Sequence, residues 1–131
     1  MASIKEGLEK TDFVSLHIPK ADSVILGAAE LELLPRHAVI INTARGGTID
    51  EAALIDRLKQ NKIGAVGLDV LADEPPSIDN PLFQFDNVII TPHSAGLTEE
   101  CAKRMALVCV QNTLDYFNGN LDQSLVVNGI S

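Results

Sequence analysis

Basic residues are scarce in this chain: ten lysines and arginines stand against eighteen aspartates and glutamates, a formal net charge of -8. Such a surface repels a phosphate backbone, and no local basic patch offsets it, so nucleic acid is excluded as a partner. Long apolar runs are missing too. None approaches the ~20 residues that cross a bilayer, and no leader-type segment precedes the polar start, so the expectation is a cytoplasmic protein with no membrane partner. Cysteine is limited to Cys101 and Cys109. They fall on one expected helix, about 12 Å apart at about 1.5 Å per residue, too far for a disulfide. Two reduced thiols suit a reducing compartment. Repeats and low-complexity segments are absent as well.

What is present is enough for one folded domain: 131 residues, 46% of them hydrophobic, which is ample for a core. Residues 3–10 have a helical look, and residues 13–18 read as a strand ended by Pro19. A polar connection over 20–23 leads to an apolar helix-like piece over 26–34, punctuated by Pro35. A fully apolar strand over 38–42 runs into Arg45, Gly46 and Gly47, after which Asp50 is placed to cap a helix over 51–61. Residues 64–70 form another short buried strand, whose small residues suggest a closely packed helix. The acidic, proline-rich loop at Asp73, Glu74, Pro75 and Pro76 follows, then a turn or short helix at Asn80, and a fourth strand over 88–91. A long helix from Thr98 to about Asn118 carries an apolar stripe of Ala102, Met105, Ala106, Cys109, Thr113 and Phe117, and Gly119 stops it. The tail over 124–128 is apolar enough to dock against something. Strands alternating with helices at this spacing imply an α/β fold, a doubly wound parallel sheet.

Ligands of such sheets bind at the carboxyl ends of the strands. Three expected strands deliver an ionisable group there: Arg45, Glu74 and His93. Neighbouring strands lie about 4.8 Å apart, so three consecutive ends bring these groups within roughly 10 Å. A guanidinium fork for a carboxylate, an imidazole to give a proton to a carbonyl oxygen, and a carboxylate that stabilises the charged imidazole are what reduction of a 2-oxo acid requires. Each has a plainer reading, as a loop cap or a solvated acid. The three together are more specific than any one.

The runs Asn42-Thr43-Ala44-Arg45-Gly46-Gly47, Gly67-Leu68-Asp69-Val70 with Glu74-Pro75, Asn80-Pro81-Leu82, and Thr91-Pro92-His93-Ser94-Ala95-Gly96 resemble the ordered motifs of the D-isomer-specific 2-hydroxyacid dehydrogenases. The likeness is to the phosphoglycerate dehydrogenase and glyoxylate/hydroxypyruvate reductase branch and covers nearly the whole chain. It implies a Rossmann-like fold, catalysis by Arg45, Glu74 and His93, and a nicotinamide cofactor, NAD or NADP. It also implies cofactor contacts at His17, Pro19, Thr43, Ala44, Asp69, His93, Ala95 and Gly96, with Asp69 on the carboxamide. The substrate class is a small 2-oxo or 2-hydroxy acid.

The departures are equally informative. The family has a glycine-rich turn and an acidic ribose-binding residue upstream of the strand at Phe13, and neither is found in this sequence. After Pro19, Lys20, Ala21 and Asp22 replace a longer threonine-bearing loop. Residues 1–131 therefore look like the second half of a dinucleotide-binding domain, without the glycine-rich half or the substrate domain. Weak cofactor binding is expected, because the pyrophosphate loses its main anchor. A bare edge on the first strand suggests a homo-oligomer. The competing reading is a non-enzymatic nucleotide-sensing or interaction module, like the family's corepressor relatives. Metal binding by His17, His37 and His93 has no ligand spacing to support it.

Overall fold

In the computed structural model, residues 4–19 and 23–127 are described; the connection expected at Lys20, Ala21 and Asp22 and the last residue of the expected tail, Asn128, lie outside them. The chain forms two compact units, residues 1–95 and residues 96–131. The first holds α1 (Ile4–Leu8), β1 (Phe13–Leu16), α2 (Ala28–Leu33), β2 (Val39–Asn42), α3 (Glu51–Lys59), β3 (Ala65–Leu68), a 3₁₀ turn at Pro81–Gln84 and β4 (Val88–Ile90). All four strands are parallel, in the order β1-β2-β3-β4. This is the expected Rossmann-like α/β sheet.

Register decides which residues form the core. Val14, Ile40, Val66 and Val88 lie in one cross-strand row, and Leu16, Asn42, Leu68 and Ile90 in the next row on the same face. Leu8 of α1, Leu31 of α2 and Leu54 and Leu58 of α3 join these residues in one cluster, so the helices of this unit cover that face. Phe13 and Ile89 belong to the opposite set and are 69% and 71% exposed. Among the described residues, the strands at the two ends of this order are β1 and β4, each with one neighbour.

Local chemistry explains where the elements begin. Asp50 accepts from the Ala53 amide and caps α3, as its position suggests. The helix expected from Leu26 starts only at Ala28. Leu26 is held extended in a parallel bridge to Ile49, its amide donating to the Thr48 carbonyl. The small residues of β3 serve a different purpose from the one expected. No atom lies within 4 Å of where a β-carbon on Gly67 would stand, whereas one on Gly64, just before β3, would overlap the His37 carbonyl, so the backbone of the turn before β2, not a helix, demands the glycine.

The second unit contains α4 (Glu99–Phe117) and a 3₁₀ turn at Gln123–Leu125. Thr98 accepts from the Cys101 amide at the start of α4, and Gly119 adopts a φ of 71° just past its end. The expected apolar stripe buries nothing in this unit: α4 has no buried residue. Leu125 and Val127 of the tail are also exposed. Both cysteines are free.

Leu54 is fully buried and Val127 is 93% exposed. Leu54→Ala is expected to lower unfolding stability by about 2–5 kcal/mol, and Val127→Ala to leave it within about 0.5 kcal/mol. Urea unfolding followed by circular dichroism checks both.

Candidate active site

Two buried polar side chains, at the carboxyl ends of β2 and β3, fix the loops that follow β2 and β4. At β2 that residue is Asn42, 2% exposed. Its Nδ2 donates to the Arg45 carbonyl and to Thr48 Oγ1, both at 3.0 Å, and its Oδ1 accepts from the Ala44 amide. The Thr48 hydroxyl donates to the same Arg45 carbonyl at 2.7 Å. The turn bearing Arg45 is thus shaped from beneath by hydrogen bonds. Gly46 is required where this turn meets the next loop: a β-carbon there would overlap the Leu71 carbonyl.

At β3 the residue is Asp69, 5% exposed. Its Oδ1 accepts from Thr91 Oγ1 at 2.5 Å and from the Ser94 amide at 2.8 Å, and its Oδ2 accepts from the Ala95 amide at 2.9 Å. Three donors from the loop after β4 converge on one carboxylate. Between them sits His93 with a φ of 51°, a left-handed conformation that non-glycine residues adopt at a cost of order 1–3 kcal/mol. The clamp holds it there. His93 Nδ1 then lies 2.8 Å from Glu74 Oε2, and Glu74 Oε1 accepts from the Leu71 amide at 2.9 Å. Beside this pair is a cavity of about 550 Å³ whose apolar wall includes Pro75, Leu82, Phe83, Val88 and Ile90.

The carboxyl groups are tuned in different directions. The hydrogen bond from His93 and that from the Leu71 amide hold Glu74 below the usual glutamate value, against a smaller effect of burial. Burial pushes Asp69 upward, but the Thr91, Ala95 and Ser94 bonds together outweigh it and leave it below the usual aspartate value. Glu51, at the start of α3, is held above its ordinary value, chiefly by burial and against the bond it accepts from the Ala72 amide.

Of the three expected catalytic residues, the structure brings Glu74 and His93 into direct contact. Arg45 stands exposed on the β2 loop, its Nη1 donating to the Ala44 carbonyl at 2.6 Å, with no ion pair among the described residues. Ala95 reaches the site through its amide. Thr43 and Pro19 are exposed and Ala44 is buried. His17 Nε2 lies 2.8 Å from Ser15 Oγ. Gly96 begins the second unit. His37 pairs with Asp12 at 2.8 Å, so the three histidines have three separate partners. Asn42, Thr48, Glu51 and Thr91 were not singled out by sequence reasoning. Polar residues closing otherwise apolar strands were the available signal for Asn42 and Thr91.

The model of the D-isomer specific 2-hydroxyacid dehydrogenase NAD binding domain matches residues 1–95. The chain belongs to this family. It is 41% identical over 125 residues to a D-3-phosphoglycerate dehydrogenase of Methanocaldococcus jannaschii, covering 94% of this chain and 24% of that protein. It is 35% identical over 126 residues to a glyoxylate reductase of Aeropyrum pernix, covering 95% and 38%. Among solved structures, the NAD-complexed D-isomer specific 2-hydroxyacid dehydrogenase from Lactobacillus delbrueckii ssp. bulgaricus superimposes with a TM-score of 0.87 at 32% identity, over 95% of this chain and 43% of that one. An acyclic imino acid reductase in complex with NADPH and D-Arg gives 0.83 at 38% identity, over 92% and 39%. The chain thus spans well under half the length of these family relatives and neighbours.

Both carboxyl groups held low contribute stability that is present above their ordinary values, 3.8 for Asp69 and 4.5 for Glu74, and is lost as pH falls through their lowered ones. Glu51, held high, has the opposite sign: its folded form gains stability as pH falls toward 4.5. The expected result is a net loss of stability on acidification below about pH 4. Asp69→Asn is expected to cost roughly 1–3 kcal/mol at neutral pH, by opposing an amide donor to amide donors, and to flatten the acid limb. Urea midpoints measured from pH 7 down to pH 3 test both.

Proposed function

We propose that this chain supplies the acid–base pair and the carboxylate-binding arginine of an NAD(P)-dependent D-2-hydroxyacid dehydrogenase, which interconverts a small 2-oxo acid and its 2-hydroxy acid. The observation that carries the reading is the His93–Glu74 contact at 2.8 Å, on loops at the carboxyl ends of adjacent strands. With Nδ1 directed at Glu74, the ring is oriented and its tautomer fixed. Nε2 has no hydrogen-bond partner among the described residues and is the nitrogen left to face a ligand. His93 is half exposed. It donates a proton to the substrate oxygen as reduction proceeds and removes it in the reverse direction. Arg45 binds the substrate carboxylate, for which a planar fork suits two oxygens.

The donor set at the strand ends fits the nicotinamide half of a dinucleotide. Asp69 Oδ2 accepts a single hydrogen bond and keeps lone-pair capacity for an amide, and Thr43 offers an exposed hydroxyl. Asp69, Thr43, Ala44 and Ala95 would hold that end, with His17 and Pro19 nearer the adenosine. When bound, the cofactor supplies the hydride. The two free thiols agree with a reducing, cytoplasmic setting.

Titration of the chain with NADH and NADPH, followed by fluorescence, is expected to show weak saturable binding of at least one. With glyoxylate or hydroxypyruvate added, nucleotide oxidation is expected to fall by about 10²–10⁴-fold in His93→Ala. Failure of both nucleotides to bind, or turnover indifferent to His93, overturns the reading.

Self-association belongs to the same proposal. β1 ends the sheet, and an edge strand presents unpaired amides and carbonyls to another chain. Sedimentation equilibrium is expected to show a reversible dimer; a single monomeric species at all concentrations refutes it.

A further inference from the structure

The backbone at Leu71 and Ala72 is pinned at three points. Gly46 of the Arg45 turn lies against the Leu71 carbonyl so closely that a β-carbon would overlap it. The Leu71 amide, in the preceding peptide unit, donates to Glu74 Oε1 at 2.9 Å. The Ala72 amide donates to Glu51 Oε1 at 2.6 Å, across 21 residues of sequence. Glu51 is the first residue of α3, and α3 is anchored in the core through Leu54 and Leu58. A rigid helix therefore reaches out to one amide of a loop that contains two prolines after Glu74 and has no strand or helix of its own.

We infer that Glu51 is a positioning residue for Glu74: it ties the loop at residues 71–74 to α3, so that one oxygen of Glu74 meets the Leu71 amide and the other meets His93. The inference rests on the reading of His93 and Glu74 as the acid–base pair. Glu51 touches neither of them. Its cost is visible in its own chemistry, since a partly buried acid beside Asp73 is held above its ordinary value, and the hydrogen bond from the Ala72 amide offsets part of that cost. A surface acid serving only solubility has no reason to accept burial.

Charge and position act on Glu74 with opposite signs. Removing a nearby negative charge makes Glu74 easier to ionise and lowers its titration midpoint; releasing the loop weakens the Leu71 and His93 bonds and raises it. The carboxyl carbon of Glu74, followed by ¹³C NMR in the intact chain, reads this directly and needs neither cofactor nor substrate. Glu51→Ala and Glu51→Asp are expected to raise the Glu74 midpoint by roughly half a unit, the aspartate because it is one methylene too short. Glu51→Gln keeps a carbonyl acceptor at the right reach and is expected to leave the midpoint within about 0.2 units of the parent. Leu8→Ala, which destabilises the core from α1 without touching α3 or the loop, is the control for general destabilisation. An unchanged or lowered midpoint in both Glu51→Ala and Glu51→Asp, or an equal rise in Leu8→Ala, overturns the inference. If the dehydrogenase reading fails instead, nucleotide binding is lost while the Glu74 titration still responds to Glu51.

Discussion

The structure of the site depends on one buried carboxylate. Asp69 closes β3 and draws three donors of the loop after β4 onto its two oxygens. A charge in that position is tolerated only because it is paired with donors, and each hydrogen bond to an ionised group is worth about 1.5–3 kcal/mol. That is enough to offset the roughly 1–3 kcal/mol of a left-handed backbone at His93. Without the clamp, the loop has no reason to present an imidazole in a conformation that costs energy. With it, the contact between His93 and Glu74 is prepared before any ligand arrives, which is what electrostatic preorganisation demands.

The same device recurs at β2 in neutral form. Asn42 and Thr48 are almost wholly buried, and between them they bind the Arg45 carbonyl and the Ala44 amide. Here no charge has to be compensated, so the amide and hydroxyl satisfy one another. The consequence for Arg45 is different too. Its backbone is fixed while its guanidinium stays exposed and, among the described residues, without an ion pair, a cation on a rigid base.

Strands, helices and the order of the sheet were legible because apolar runs bounded by proline, glycine and capping residues carry strong local signals; Asp50 caps where its position suggested. Element edges were less so. Leu26 reads as helical from its neighbours, yet a bridge to Ile49 holds it extended, and such pairing over 23 residues leaves no local trace. Glycine is ambiguous for a related reason. Gly64 answers to the backbone of His37 and Gly67 to open space, a distinction made by tertiary neighbours. Among the site residues, Glu74 and His93 were recognisable as a pair that a ligand site needs. Asn42 and Glu51 were not, because their work is done on backbone amides and carbonyls that any residue type supplies. The stripe along α4 was legible as apolar, but periodicity names a face and not its cover.

Chemistry and affinity are separable in this fold. Every contact that prepares His93 and Glu74 arises between residues 42 and 95: the Asp69 clamp, the Leu71 amide, and the packing of Gly46 beneath the loop. None passes through β1, the end strand of the sheet, or through the side of the sheet where the exposed Phe13 and Ile89 stand. Anchoring a pyrophosphate calls on something else, a helix N-terminus behind a glycine-rich turn, and that spacing does not occur in this sequence. The His93–Glu74 contact is therefore formed without the element that a pyrophosphate would call on. The local clamps hold this contact through hydrogen bonds of the strand-end loops alone, whatever covers the rest of the sheet.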